Sequence, residues 1–223
     1  YIINTKNFMG LDFFVDERVL IPRFDTEILV DTTLEEIKKI QPNLDEDIEI
    51  LELCTGSGAI PISVIHHTKG TNIKALDISL PALQVAKINR EELLTLEEQE
   101  RLTFIQSDLF ENVELPGGNS SFQGYHLILA NPPYVTAEEY STLDEKVKKE
   151  PLNALVAEDE GIFFYDKILA EGKKYLHPKG GTMIFEIGSQ QGPALLALAK
   201  AKGYQECTII PDYAGHSRVA LIR

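Results

Sequence analysis

The chain has 223 residues, 43% of them hydrophobic, enough to bury a core as one large domain or a domain with an appendage, which excludes a disordered protein. Its 21 basic against 35 acidic residues give a formal net charge of −14, and no basic cluster carries interleaved aromatics, so nucleic acid is not the expected partner. No apolar run approaches the roughly 18 residues of a membrane span, and the first residues lack a signal peptide's layout. Two cysteines, Cys54 and Cys207, are too few for a disulfide framework and fit a reducing cytoplasm. The adjacent His66 and His67 would point about 100° apart on a helix and could not share an ion, so no metal is expected.

Residues 1–24 read as hairpin-like, with Phe8–Val15 and Val19–Ile21 as strand candidates, a turn at Gly10 and a stop at Pro22. Asp25 or Thr26 can cap a helix running to about Ile40, and 43–47 form an acidic linker. From Ile48 the pattern changes. A strand at Ile48–Leu53, a helix at Ala59–His67, a strand at Ile73–Leu76, a helix at about Leu80–Leu94 and a strand at Leu102–Gln106 give the rhythm of an α/β parallel sheet covered on both faces.

A loop from Leu115 to Gly124 leads to a further strand, Leu127 to Ala130, and a charged helix is expected within 137–159. The remainder reads as a helix at Phe163–Tyr175, a strand at Thr182–Ile187 and a helix at Pro193–Lys202. Strands at Tyr204–Ile210 and Arg218–Ile222 then pair as an antiparallel hairpin. The expected division is a hairpin segment (1–24), a helix and linker (25–47) and the main domain (48–223).

The chemistry centres on the apolar strand that stops at Asn131-Pro132-Pro133-Tyr134. Two prolines forbid a central strand or a helix interior there, which leaves the asparagine at a strand tip. Its carbonyl, the Pro132 carbonyl and the Tyr134 face can hold a planar amino group, accepting its hydrogens and packing on its plane.

Glu52-Leu53-Cys54-Thr55-Gly56-Ser57-Gly58 follows the first domain strand and opens a helix, where glycines permit tight turns and close approach of a nucleotide-like ligand. Asp77 ends the next strand, 19 residues past Gly58, positioned to accept both ribose hydroxyls. Pro61 stands where a dinucleotide site needs a third glycine, and Glu52 opposes added phosphate charge. S-adenosylmethionine, cationic and without phosphate, suits such a carboxylate. Asp108 can accept from the adenine amino group, with Leu109 or Phe110 covering the ring.

Glu52, Asp77, Asp108 and Asn131 thus meet at one sheet edge, where open α/β folds bind ligands. The chemistry implied is methyl transfer to an amino group whose nitrogen is aimed at the methyl carbon, roughly 3–3.5 Å away. Glu186, at the tip of the following strand, is a candidate extra acceptor.

Several segments resemble, in order, the release-factor glutamine methyltransferases. They are Phe13-Phe14-Val15, Val19 to Glu27 with its Ile21-Pro22-Arg23 core, Cys54–Gly58, Asp77, Ser107-Asp108, Asn131–Val135, Glu150-Pro151, Glu186-Ile187-Gly188 and Gly215–Val219. The resemblance implies a class I S-adenosylmethionine-dependent fold: Rossmann-like, with a mostly parallel seven-stranded sheet, an antiparallel C-terminal hairpin and a small β-hairpin in front. It implies a peptide chain release factor as protein substrate, methylated on the glutamine amide of its Gly-Gly-Gln loop. It also implies that residues 54–58, Asp77, Leu109 and Asn131 contact the cofactor, that Asn131–Tyr134 hold the glutamine, and that Phe13 and Arg23 line the site.

Phe24 stands where such enzymes usually have proline and Cys54 where many have glycine, and the chain is expected to lack their small N-terminal helical domain. The alternatives are a ribosomal-protein glutamine methyltransferase and an adenine amino-methyltransferase, the latter opposed by the charge.

Overall fold

The computed structural model describes residues 4–41, 46–117, 122–145 and 147–223. The Gly118–Ser121 part of the expected 115–124 loop and residues 43–45 of the expected linker lie outside these. Strands β1 (Thr5–Phe8) and β2 (Leu11–Phe14) pair antiparallel about Met9-Gly10, both at positive φ (50° and 79°), as a two-residue hairpin turn requires. The turn therefore splits the strand expected over Phe8–Val15. Val19–Ile21 is not a strand: Val15 and Val19 pack on Ala82 and Val85 of α3 (Leu80–Leu93), so this strap runs over a helix.

Helix α1 (Phe24–Ile40) begins earlier than the expected caps. Arg23 holds the extended N-cap position without a side-chain cap, which puts Asp25, Thr26 and Glu27 inside the first turn. Glu27 accepts from the Met9 amide at 2.8 Å and ties the hairpin turn to the helix.

Next come β3 (Ile48–Leu53), α2 (Ala59–His67), β4 (Thr71–Asp77), α3 and β5 (Leu102–Gln106), close to the predicted bounds. A short helix, α4 (Leu96–Glu100), was not anticipated. Its signal was a capping box, with the Thr95 hydroxyl accepting from the Glu98 amide while the Glu98 carboxylate accepts from the Thr95 amide. β6 is Leu127–Ala130. The long charged helix is reduced to α5 (Ala137–Thr142) followed by three 3-10 turns, at Val147–Lys149, Leu152–Ala154 and Asp159–Gly161. The chain ends with α6 (Phe163–Glu171), β7 (Thr182–Glu186), α7 (Gly192–Ala201), β8 (Cys207–Pro211) and β9 (Ser217–Ile222).

The seven-stranded sheet has the order β5-β4-β3-β6-β7-β9-β8, parallel except for β9, which runs antiparallel to both β7 and β8. Alternation of side chains sorts the core into two layers. Ile48, Ile50, Leu127, Leu129 and Ile184 pack with α1, α2 and the hairpin's Phe8 and Phe13; Leu51, Leu53, Ile128, Ala130, Met183 and Phe185 pack with α6 and α7. Consecutive strands run outward from β3 to β5, and the chain then returns to β6 on β3's other side. The carboxyl ends of β3 and β6 therefore flank the switch point where such sheets bind ligands.

Candidate active site

A cavity of about 350 Å³ opens at that switch point. The loop after β3 supplies Cys54, Thr55, Gly56 and Ser57, the end of β4 supplies Asp77, the turn after β5 supplies Asp108 and Leu109, and the tip of β6 supplies Asn131 and Pro133. These residues, predicted from four separate motifs, thus share one wall system. Gly56 and Gly58 adopt positive φ (57° and 79°), and a Cβ on Gly58 would lie 3.1 Å from Ala86 Cβ, so Gly58 serves helix packing rather than the cavity. Cys54 takes the same left-handed conformation (φ 60°) without being glycine. Burial pushes its thiol pKa up, with Asp77, Glu52 and Asp108 adding to it, so the sulfur stays protonated.

Asp77 is anchored from below: its Oδ2 accepts from the Gly56 amide at 2.8 Å and its Oδ1 from the Ser79 amide at 2.9 Å. Each oxygen keeps further acceptor capacity toward the cavity, as recognition of a vicinal diol needs. Burial raises its pKa while these amides oppose the rise. The Ser107 hydroxyl donates to Leu109 O at 2.9 Å and accepts from the Asn112 amide at 3.0 Å, a turn that holds Leu109 at φ 45° with its side chain on the cavity. Phe110, the other candidate ring cover, instead stacks on Tyr175 in the core at 4.5 Å.

Beyond Gly58 and Phe110, six predicted site residues do not line the cavity: Phe13, Arg23, Glu52, Pro132, Tyr134 and Glu186. Phe13 is fully buried in the core, edge-on to Phe8 at 6.0 Å, because β2 turns it toward α1. Arg23 reaches away to Glu150, 2.6 Å between Nη2 and Oε1. Glu52 points into the α1–α2 layer in step with Ile48 and Ile50, is fully buried, and accepts from Thr55 Oγ1 at 2.6 Å. Desolvation, with Asp77 nearby, pushes its pKa to about 8.

Tyr134 donates its hydroxyl to Glu186 Oε1 at 3.2 Å, and Glu186 is buried at the end of β7. Burial raises the pKa of both; Thr26 and Tyr134 hydrogen bonds resist the rise at Glu186. Pro132 is buried between Asn131 and Pro133, which do line the cavity.

The structure adds residues that sequence reasoning did not assign to the site: Pro22 and Thr26 from the strap and α1, Ile78 after β4, and Phe163, Phe164 and Lys167 from α6. Thr26 carried one usable signal, its place just after Ile-Pro-Arg. The α6 residues carried none beyond an ordinary amphipathic pattern.

Elsewhere, Glu46, His126 and His177 bring one ligand atom each within 4.8 Å of one another. The two imidazoles stack in parallel at 4.6 Å, and each Nδ1 accepts from a backbone amide, of Glu49 and Lys179. Their Nδ1 lone pairs are thereby spent on the backbone.

The cavity's donors fit S-adenosylmethionine. It offers carboxylates for a ribose and an adenine amine and apolar cover from Leu109 and Ile78.

A family model described as methyltransferase small domain matches residues 26–158. The release factor glutamine methyltransferase of Clostridium acetobutylicum is 36% identical to this chain over 222 residues, covering 99% of it and 73% of the relative. That of Fusobacterium nucleatum is 35% identical, covering 100% of this chain and 59% of its own length, and the bifunctional methyltransferase of Rickettsia conorii is 36% identical, covering 99% and 44%.

Among solved structures, a release factor-specific protein-(glutamine-N5) methyltransferase from Alicyclobacillus acidocaldarius superposes with TM-score 0.52 at 22% identity, covering 94% of this chain and 98% of that one. The hMettl16 catalytic domain superposes with TM-score 0.69 at 14% identity, covering 96% and 75%. Both show the shared fold.

Fold and site together define an α/β methyltransferase of the S-adenosylmethionine-dependent class. Within it, the chain belongs to the release factor glutamine methyltransferase family.

Proposed function

We propose that the protein methylates the side-chain amide nitrogen of the glutamine in the Gly-Gly-Gln loop of peptide chain release factors, acting in the cytoplasm as a monomer, with residues 48–223 carrying the transferase. The observation that carries this reading is the convergence of the carboxylates of Asp77 and Asp108 with Asn131 and Pro133 of the Asn-Pro-Pro-Tyr segment around one cavity. S-adenosylmethionine, when bound, supplies an electrophilic methyl carbon.

An amide nitrogen is a weak nucleophile because its lone pair is delocalised, so the task left to the chain is orientation and polarisation. Asn131 Oδ1 and the Pro132 carbonyl accept the two N–H groups of the glutamine amide. Tyr134, held through its hydroxyl by Glu186, packs on the amide plane. Asp77 holds the ribose, Asp108 the adenine amine and Leu109 the adenine face.

Glu186 supports Tyr134 and does not itself accept from the substrate. The deciding experiment is transfer of labelled methyl to intact release factor, run beside its Gly-Gly-Gln Gln→Ala variant and duplex DNA. Label on the native factor alone supports the reading; label on DNA, or on the variant equally, overturns it.

A further inference from the structure

On the face of α3 that meets the site, Ala82, Ala86 and Asn89 recur at i, i+4 and i+7. Ala82 lines the cavity and Ala86 packs against Gly58. Asn89, fully buried, uses both ends of its amide. Its Oδ1 accepts from the Phe14 amide at 2.7 Å, and its Nδ2 donates to the Phe14 carbonyl at 3.0 Å and to the Ser57 carbonyl at 2.9 Å. This fixes the amide's orientation: reversed, it would set N–H against the Phe14 N–H and oxygen against two carbonyl oxygens.

Both partners need what Asn89 supplies. The first bond of α2 runs from the Ile62 amide to the Gly58 carbonyl. One residue earlier, the buried Ser57 carbonyl would look to residue 61, but Pro61 has no N–H to give. Asn89 replaces that missing donor. At Phe14 it presents the acceptor and donor that a neighbouring strand would, on the edge of β2 away from β1. One side chain thus grips the loop after β3 and the root of the strap together. Cys54–Ser57 of that loop form one wall of the cavity, and Arg18, Val19, Leu20 and Pro22 of the strap form another.

We propose that Asn89 is a positioning residue for the cofactor, whose amide sets the spacing between the loop after β3 and the strap and so fits the cavity to S-adenosylmethionine. This rests on the S-adenosylmethionine reading of the cavity and not on which amine is methylated. Asn89 itself lies outside the cavity, so its effect is carried by Ser57 and the strap. S-adenosylmethionine and its product S-adenosylhomocysteine should depend on it alike, because they differ only by the methyl group and its charge.

Asn89→Leu keeps the approximate size and removes all three bonds, whereas Asn89→Asp keeps the acceptor for the Phe14 amide and sets an oxygen against the Ser57 carbonyl. In either folded variant, calorimetry should show both ligands bound about tenfold or more weakly, the loss expected when a buried acceptor goes unmet. KM for S-adenosylmethionine should rise in step, while kcat at saturating cofactor stays near wild type. Leu195→Ala, in the core under α7, is the control for stability alone. It should lower the melting temperature and leave both affinities unchanged. A further test uses only the wild-type protein. Phe14 lies outside the cavity, yet S-adenosylmethionine should slow exchange of its amide hydrogen together with those of Thr55 and Gly56, since one side chain holds both segments.

Wild-type affinity in a folded Asn89 variant, an equal loss in Leu195→Ala, or unchanged exchange at Phe14 while the loop amides slow would each overturn the positioning role. Failure of the wild-type protein to bind S-adenosylmethionine would instead overturn the cofactor reading, and that binding is measured before any variant is compared.

Discussion

At the residue scale, the site separates into groups that hold the cofactor and groups that hold the substrate, and single substitutions should pull them apart. Asn131→Ala should reduce methyl transfer by several orders of magnitude while leaving S-adenosylmethionine affinity nearly intact. Asp77→Ala should do the reverse in binding, weakening it by at least about tenfold through loss of a charge-assisted bond. Calorimetry beside a methyl-transfer assay reads both, and equal losses of cofactor binding in the two variants would contradict the division.

Glu52 makes a pH prediction. Its folded-state pKa, about 8, lies above the ordinary value of 4.5, because the carboxylate is buried with one oxygen unpartnered. The native state therefore holds a proton that the unfolded chain releases. The stability this confers is full below about 4.5 and is lost as pH rises through about 8. Glu52→Gln cannot ionise, so its melting temperature should fall less than the wild type's as pH rises from neutral to about 9. Parallel profiles in thermal unfolding would show that Glu52 is already charged at neutral pH.

At the element scale, the segments around the cavity are pinned by a few buried polar groups rather than by regular structure. Glu150, 5% exposed, takes Arg23 on Oε1 and the Ile21 amide on Oε2 at 3.1 Å, so it fastens the strap before α1 to the irregular 147–157 segment. Gly161 lies against Tyr134: a Cβ there would sit 2.2 Å from the Tyr134 carbonyl oxygen and 2.4 Å from Gln191 Nε2, at φ 78°. Gln191 bridges the same two carbonyls, of Tyr134 and Gly161, at 3.1 and 3.2 Å. Gly161→Ala should thus displace Tyr134, lowering kcat much more than cofactor affinity and costing about 1–3 kcal/mol of stability. An unchanged kcat in a folded variant would show that Tyr134 does not need this support.

Legibility in the sequence differed by element for identifiable reasons. β3, α2 and β5 were bounded correctly because apolar runs between glycine, polar and acidic stretches leave little freedom. Val19–Ile21 was misread as a strand because β-branched residues packing on a helix look the same as those in a sheet. α1 was given the wrong cap because Asp25 and Thr26 are good caps that the fold uses otherwise.

At the scale of the whole molecule, the sheet order makes the cavity a property of the entire fold, since its walls come from β3, β4, β5, β6, α1 and α6. Ligand binding there should stabilise the protein as a unit. S-adenosylmethionine at a hundred times its Kd should add about 2.7 kcal/mol to unfolding, seen as a higher melting temperature, while a nicotinamide dinucleotide should leave it unchanged. A dinucleotide shift of equal size would reopen the nature of the site.

The sequence by itself determined the order of elements, the strand-tip placement of Asp77 and Asn131 and the tight loop at Cys54–Gly58, because these depend on periodicity, proline and glycine within a few residues. Only the tertiary structure decided that Phe13 is core, that Glu52 is fully buried and that Thr26 meets Asn131 across a separation of 105 residues. Such outcomes follow from sheet register and layer packing, where a neighbour is set by which strand lies alongside and which face a side chain takes. No local pattern carries that information.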